Sequence, residues 1–223
     1  MLRSPVIISR MAKYPIFLEL GGRRTVVVGG GAVAVRKAGA LLDAGARMVV
    51  VAHKPSDAIT ELCTKHGAEL IRSRYSKQYI TGAVLVIAAT NDPQVNEQVY
   101  RDCQSLEILC NVVDEPPFCD FFVPAVVKRG DLQIAIGTEG YSPAYAGHLR
   151  KKLEAMFTEE HGQFLSELDS IRREIVEKVA ASDRKALLGK LVDDESFEFF
   201  RTNGATAWRQ RAQDLVRSET TKP

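Results

Sequence analysis

Thr25–Ala34 reads TVVVGGGAVA: a β-branched run, three glycines and a run of small residues, in which Gly29, Gly31 and Ala34 fit the pattern G-x-G-x-x-A. In that pattern the first glycine makes a tight turn, the second lets backbone approach a phosphate, and the last small residue lets a helix close on its strand. The free amides of the helix start and the positive end of its dipole then suit a pyrophosphate. A glycine turn alone is a weak signal. One placed directly after a strand, directly before a helix and inside a repeated βαβ pattern points to a dinucleotide.

Other residues could complete such a site. The acid that ordinarily binds the adenosine ribose after the second strand is absent, and His53 and Lys54 stand there instead. A cation there favours a 2′-phosphate, but a flexible lysine is also at home in solvent, so these residues alone leave NAD and NADP both open. Thr90 and Asn91 follow the fourth strand, at the edge where open α/β sheets bind ligands, in positions that suit cofactor contact, helix capping or both.

Asp114 ends the stretch NVVD at the close of the fifth strand. A carboxylate there can take a proton while a hydride leaves to a nicotinamide, and a turn-forming aspartate before Glu115-Pro116 is the alternative role. Further on, Ser142-Pro143 opens a helix that later carries Arg150, Lys151 and Lys152, which reads either as an anion-accepting helix start with cations or as a solvated face. His66, His148 and His161 have no partner at metal-ligand spacing. Cys63, Cys103, Cys110 and Cys119 lack Cys-x-x-Cys spacing. Reduced thiols and no resident metal are therefore expected.

The elements needed to position these residues follow from periodicity. Thr25–Val28, Arg47–Ala52, Glu69–Arg72, Val84–Ala89 and Ile108–Val113 are predicted as strands, and their continuous apolar character suits a parallel sheet covered on both faces. Val35, Ala38, Leu41 and Leu42 recur at helical spacing, with Gly45 as a C-terminal breaker, and Asn91-Asp92-Pro93 starts another helix. Phe121–Val127 and Leu132–Gly137 are predicted as strands joined by Lys128-Arg129-Gly130-Asp131. The helix opened by Ser142 is expected to run to about Phe157. Beyond Gly162 the chain reads as wholly helical, with Phe164, Leu168, Ile171, Ile175 and Val179 on one face and shorter helices around Ala186–Leu191, Ser196–Arg201 and Thr206–Val216. The polar end from Arg217 is expected to fray.

Composition narrows the class. The chain has 223 residues, 45% hydrophobic and 26% charged, with 30 Lys and Arg against 28 acids and a net charge of +2, so nothing points to a nucleic-acid partner. The apolar run Pro5–Ile8 is too short for a signal-peptide core, and no run approaches the roughly 18 residues of a membrane span, so no membrane partner and a cytoplasmic location are expected.

Taken together, YPIFLELGGRRTVVVGGGAVAVRKAGALLDAGA, IAATND and NVVDEPPFCDFFVPAVVKRGDLQIAIGTEGYSPAYAGHLRKKLE resemble the precorrin-2 dehydrogenases of siroheme biosynthesis, including those that double as sirohydrochlorin ferrochelatases. The resemblance covers about Tyr14–Phe157, and the helical tail matches in kind only. It implies NAD-dependent oxidation of precorrin-2 to sirohydrochlorin, with Fe²⁺ as a further substrate where the chelatase activity is present. It puts the family's essential aspartate on Asp114, cofactor contacts on Ala32, Val33, His53 and Lys54, and a homodimer interface on the middle segment. Because the substrate carries many carboxylates, it also makes Lys128, Arg129, Arg150, Lys151 and Lys152 candidate anion partners. Two departures stand out: Gly147 where many relatives carry Arg, and Thr138 where they carry Ser.

The expected architecture is α/β: a Rossmann-like parallel-sheet domain over 1–113, a small mixed α/β dimerisation segment over 114–157 and an all-helical C-terminal domain over 158–223. The length beyond the resemblance leaves no room for a methyltransferase domain, so the trifunctional form is not expected. Two rivals differ in class or scope: an NAD-sensing regulatory module without catalysis, and a dehydrogenase that hands metal insertion to a separate chelatase.

Overall fold

The computed structural model describes residues 13–220, with side chains as far as 218. The run Pro5–Ile8 and the extreme end, 221–223, lie outside the described residues. The chain divides into two compact units, Lys13–Val123 and the segment from Pro124 onward.

In the first unit, β1 (Arg24–Val28), β2 (Arg47–Val51), β3 (Glu69–Ile71), β4 (Leu85–Ala88) and β5 (Leu109–Val112) form one parallel sheet in the order β3-β2-β1-β4-β5. Successive strand residues point to opposite faces, and both faces are covered. Val27, Met48, Val50, Leu85 and Ile87 meet α1 (Ala32–Asp43) and α2 (Asp57–His66) through Ala34, Ala38, Leu41, Ile59 and Cys63. Val26, Val28, Val49, Val86, Ala88, Cys110 and Val112 meet α3 (Pro93–Ser105) through Val99 and Cys103. This is a Rossmann-like arrangement. The chain runs outward from β1 through β2 to β3, and then from β4 to β5 on the other side, so the order reverses between β1 and β4. Such a reversal opens a crevice at the carboxyl ends of the strands.

The helix ends follow the expected chemistry. Gly45 (φ 72) and Gly67 (φ 64) take left-handed backbone after α1 and α2. Asp92 accepts from the amides of Gln94 and Val95 at 3.0 and 3.3 Å to start α3.

The second unit starts with an antiparallel ribbon of β6 (Ala125–Arg129) and β7 (Leu132–Ile136). The strand expected over Phe121–Val127 is displaced. Pro124 has no N–H to give to a ladder, and Phe121 is held by its carbonyl, which accepts from Asn111 Nδ2 at 2.9 Å. The ladder therefore runs on through Lys128 and Arg129, and Gly130 (φ 57) with Asp131 alone makes the turn.

Next come α4 (Pro143–Met156), α5 (Glu159–Lys178), α6 (Ala181–Gly189) and α7 (Asp194–Thr220), the last broken at Gly204 (φ 81). That break divides α7 where the sequence reads two separate helices. The end expected to fray instead continues α7 through Arg217 to Thr220. Phe164, Ile171, Ile175, Leu187, Phe200 and Trp208 form the core of this bundle, and the Trp208 indole N–H donates to Ser196 Oγ at 2.9 Å. At the start of α5 a Cβ on Gly162 would lie 2.4 Å from the Arg129 carbonyl oxygen, so the helix crosses the hairpin at backbone contact.

Candidate active site

The three glycines after β1 do different work. Gly29 has φ 135, its N–H donates to the Val51 carbonyl at 2.9 Å, and a Cβ there would sit 2.3 Å from the Ala89 oxygen. It closes the ends of β1, β2 and β4 together at the reversal point. Gly30 fits equally tightly against the β2–α2 turn: a Cβ would meet Pro55 Cα at 2.8 Å, and its carbonyl accepts from Ser56 N–H at 3.0 Å. Gly31 differs, because a Cβ there would meet nothing within 4 Å.

Gly31 is the N-cap of α1 and offers no side chain to the free amides, and no acid lies in the first turn. Ala32 is exposed, Val33 half-buried and Ala34 fully buried against the sheet. An uncapped helix start beneath open space is a fitting receptor for a pyrophosphate.

His53 and Lys54 are exposed just beyond β2, and Ser56 is occupied in capping α2, accepting from Ile59 N–H at 3.3 Å. Across the crevice Thr90 and Asn91 follow β4. Asn91 is exposed, whereas Thr90 is held by Asn96 of α3, which is only 7% exposed. Asn96 Oδ1 accepts from the Thr90 hydroxyl at 2.7 Å and its N–H at 3.3 Å, while Asn96 Nδ2 donates to the Thr90 carbonyl at 3.1 Å. Asn96 matches no motif in the sequence; its only signal there is a polar residue one step from Val95 and three before Val99 on the apolar side of α3. Asn96→Ala is expected to lose about 2 kcal/mol of stability, read by denaturant unfolding, because three bonds go and Thr90 keeps unpaired groups.

Asp114 follows β5 at the same edge of the sheet, with φ 63, and is exposed. Aspartate tolerates this left-handed backbone better than most residues. The loop after it folds back as a clasp. Asp120 exchanges with Cys110, its N–H donating to the Cys110 carbonyl and its carboxylate accepting from Cys110 N–H, both at 2.8 Å. Cys119 Sγ donates to the Val112 carbonyl at 3.1 Å and accepts from Asn111 Nδ2 at 3.3 Å. Burial pushes the Cys119 thiol up, partly offset by the Val112 backbone and the Lys37 cation. Lys37, in the second turn of α1, is half-buried. Its own burial and the neighbouring Arg36 lower its pKa, against the opposing pull of Asp114 and Cys119.

The cations of the second unit are not alike. Arg129 is consumed structurally: it donates to the carbonyls of Phe157 (2.7 Å), Glu154 (3.0 Å) and Lys128 (2.9 Å) and lies 3.4 Å from the Glu159 carboxylate. Arg150 is paired with Glu154. Lys128, Lys151 and Lys152 are exposed. Ser142 caps α4 by accepting from Tyr145 N–H at 3.1 Å, and the Thr138 hydroxyl donates to the Ser142 carbonyl at 3.2 Å. A Cβ at Gly147 would meet nothing within 4 Å, so a side chain there has room.

The four cysteines are free, and among the described residues no group of three or more His, Cys, Asp or Glu could hold a metal ion. No helix there is long and apolar enough to cross a membrane.

Comparison with known proteins agrees with this geometry. Residues 16–125 match the family described as "Putative NAD(P)-binding", and residues 129–156 match "Sirohaem biosynthesis protein central". A siroheme synthase of Psychrobacter sp. (strain PRwf-1) is 38% identical over 169 residues, 76% of this chain and 35% of the relative. A siroheme synthase of Pseudoalteromonas translucida (strain TAC 125) is 32% identical over 210 residues, 94% of this chain and 44% of the relative. The chain thus spans less than half the length of these curated relatives. A solved structure, SirC, precorrin-2 dehydrogenase, superimposes with a TM-score of 0.75 at 27% identity, covering 91% of this chain and 100% of that one. With an NAD(P)-binding unit followed directly by a sirohaem central segment, the chain belongs to the siroheme synthase and precorrin-2 dehydrogenase family.

Proposed function

We propose that the protein oxidises precorrin-2 to sirohydrochlorin with NAD. The observation that carries this reading is that the open, uncapped helix start at Gly31 and the carboxylate of Asp114 stand at the same carboxyl edge of one parallel sheet. Bound NAD supplies the hydride acceptor. The chain's own part is to hold the pyrophosphate at the amides of Gly31, Ala32 and Val33, to hold the adenosine end near His53 and Lys54, and to frame the nicotinamide side with Thr90 and Asn91. Asp114 takes the proton that the macrocycle loses as the hydride leaves, so two electrons and one proton pass to NAD and a second proton passes to the protein.

Of the second unit, Lys128, Lys151 and Lys152 are proposed to meet substrate carboxylates. The N-cap serine of α4, Ser142, is proposed as a further polar contact. Arg129 and Arg150, already engaged with Phe157, Glu154 and Glu159 of this unit, are proposed as secondary anion partners. The two-stranded ribbon of β6 and β7 leaves strand edges unpaired within its sheet, which supports a homodimer built on this central segment. Fe²⁺ enters only as a second substrate. The described residues offer it a proton acceptor in Asp114 and no group of ligands built to hold it.

The test is anaerobic incubation of the purified protein with precorrin-2 and NAD, followed at 340 nm. Stoichiometric NADH with appearance of sirohydrochlorin is expected. NAD binding without substrate-dependent NADH would instead make the chain a sensing module. Adding Fe²⁺ or Co²⁺ to sirohydrochlorin with NAD omitted tests insertion separately, against the protein-free rate.

A further inference from the structure

Lys37 is set apart from the other cations of the sheet unit by its surroundings. α1 buries Ala34, Ala38 and Leu41 as its seam, and Lys37 flanks that seam with its stem half-buried. Val113, next to Asp114, packs on the same apolar cluster as Ala34 and Ala38, which places the end of β5 beside this face of the helix.

The charged and titratable groups around Lys37 are Arg36 on its own helix and Asp114 and Cys119 from the segment after β5. Glu115 and Asp120 act in turn on Cys119. Arg24, by contrast, donates to the Tyr79 carbonyl at 2.9 Å and reaches Glu69 at 4.0 Å. Among the described residues, no hydrogen bond or ion-pair contact takes the Lys37 ammonium. A partly desolvated cation in that position gains when an anion reaches it.

The pyrophosphate is not that anion, since it belongs at the first-turn amides and Lys37 stands in the second turn. We infer that Lys37 is a substrate-anchoring residue, whose ammonium takes one peripheral carboxylate of the anionic tetrapyrrole and so sets the macrocycle beside Asp114. This rests on the tetrapyrrole reading above and deepens it. It assigns the sheet unit its own substrate contact, apart from the lysines of the second unit. Arginine can serve in place of Lys37, because either cation binds a carboxylate; a neutral chain of similar length cannot.

The test is a binding titration of the full chain with sirohydrochlorin, NAD omitted, followed by the change in its visible absorbance. NAD affinity is measured separately by calorimetry. Lys37→Met and Lys37→Gln are each expected to weaken sirohydrochlorin binding about tenfold, Lys37→Arg to stay within about threefold of the parent, and all three to keep NAD affinity within about twofold. Two neutral variants guard against one that fails to fold. Unchanged sirohydrochlorin affinity in the neutral variants overturns the anchor, as does a loss of NAD affinity matching that of the tetrapyrrole, which would assign Lys37 to the dinucleotide. A parent protein that binds no sirohydrochlorin and makes no NADH from precorrin-2 overturns the functional reading itself, and the anchor with it.

Discussion

Asp114→Asn is expected to lower precorrin-2-dependent NADH formation about a thousandfold while leaving NAD affinity within about twofold. Asparagine has the same shape and tolerates the left-handed backbone that Asp114 adopts at φ 63. The turn, the clasp after β5 and the sheet edge should therefore survive. What goes is the capacity to accept a proton. Asp114→Ala is the less clean variant, because a β-carbon without a polar end costs about 1–2 kcal/mol in left-handed backbone, and lost activity then mixes with lost stability. The loss should appear in kcat far more than in the Kd for sirohydrochlorin, since a base acts in the transition state. An Asn variant with turnover within threefold of the parent would place the base elsewhere.

Asp114 also shows why part of the site was legible in the sequence and part was not. A strand followed by NVVD at the carboxyl edge can be read from residue order, because the sheet's parallel sense sends every strand end to one side. From residue order alone, a turn and a base are alternative roles for the aspartate. In the structure Asp114 takes left-handed turn backbone and is also exposed at that edge, so the two roles are compatible. Ser142 is legible for the same local reason: a cap and a proline at the first helical position are decided within a few residues.

Arg129 was not legible. Its spacing resembles a hairpin cation awaiting an anion, yet its planar fork finds backbone carbonyls at Glu154 and Phe157, acceptors every residue carries and no residue type advertises. Asn96 shares that difficulty. It stands beside the apolar seam of α3, and only the turn after β4 shows that its polar end meets Thr90. Gly30 was hidden by its neighbours. The motif names its first and third glycines, while the approach of Pro55 that forbids a side chain at Gly30 comes from a turn more than twenty residues away.

The glycine turn yields the sharpest separation of folding from binding. Gly29→Ala should cost several kcal/mol and leave little folded protein, because its φ of 135 excludes a β-carbon and the added atom would lie 2.3 Å from the Ala89 oxygen, where neither strand end can yield. Gly31→Asp should do the opposite. Its φ of −90 suits any residue and the space around it is open, so the fold bears no steric cost. An aspartate at the N-cap of α1 even adds a few tenths of a kcal/mol by accepting from the first-turn amides. Those amides overlap the ones proposed to hold the pyrophosphate at Val33, and the new carboxylate would both occupy and repel. NAD affinity is therefore expected to fall at least a hundredfold in a protein whose melting temperature is unchanged or slightly raised, measured by calorimetry and thermal unfolding on the same sample. A Gly31→Asp protein that binds NAD as the parent does would remove the helix start from the cofactor site. A folded, active Gly29→Ala protein would mean that the ends of β1 and β4 are not held together as tightly as the Ala89 contact requires.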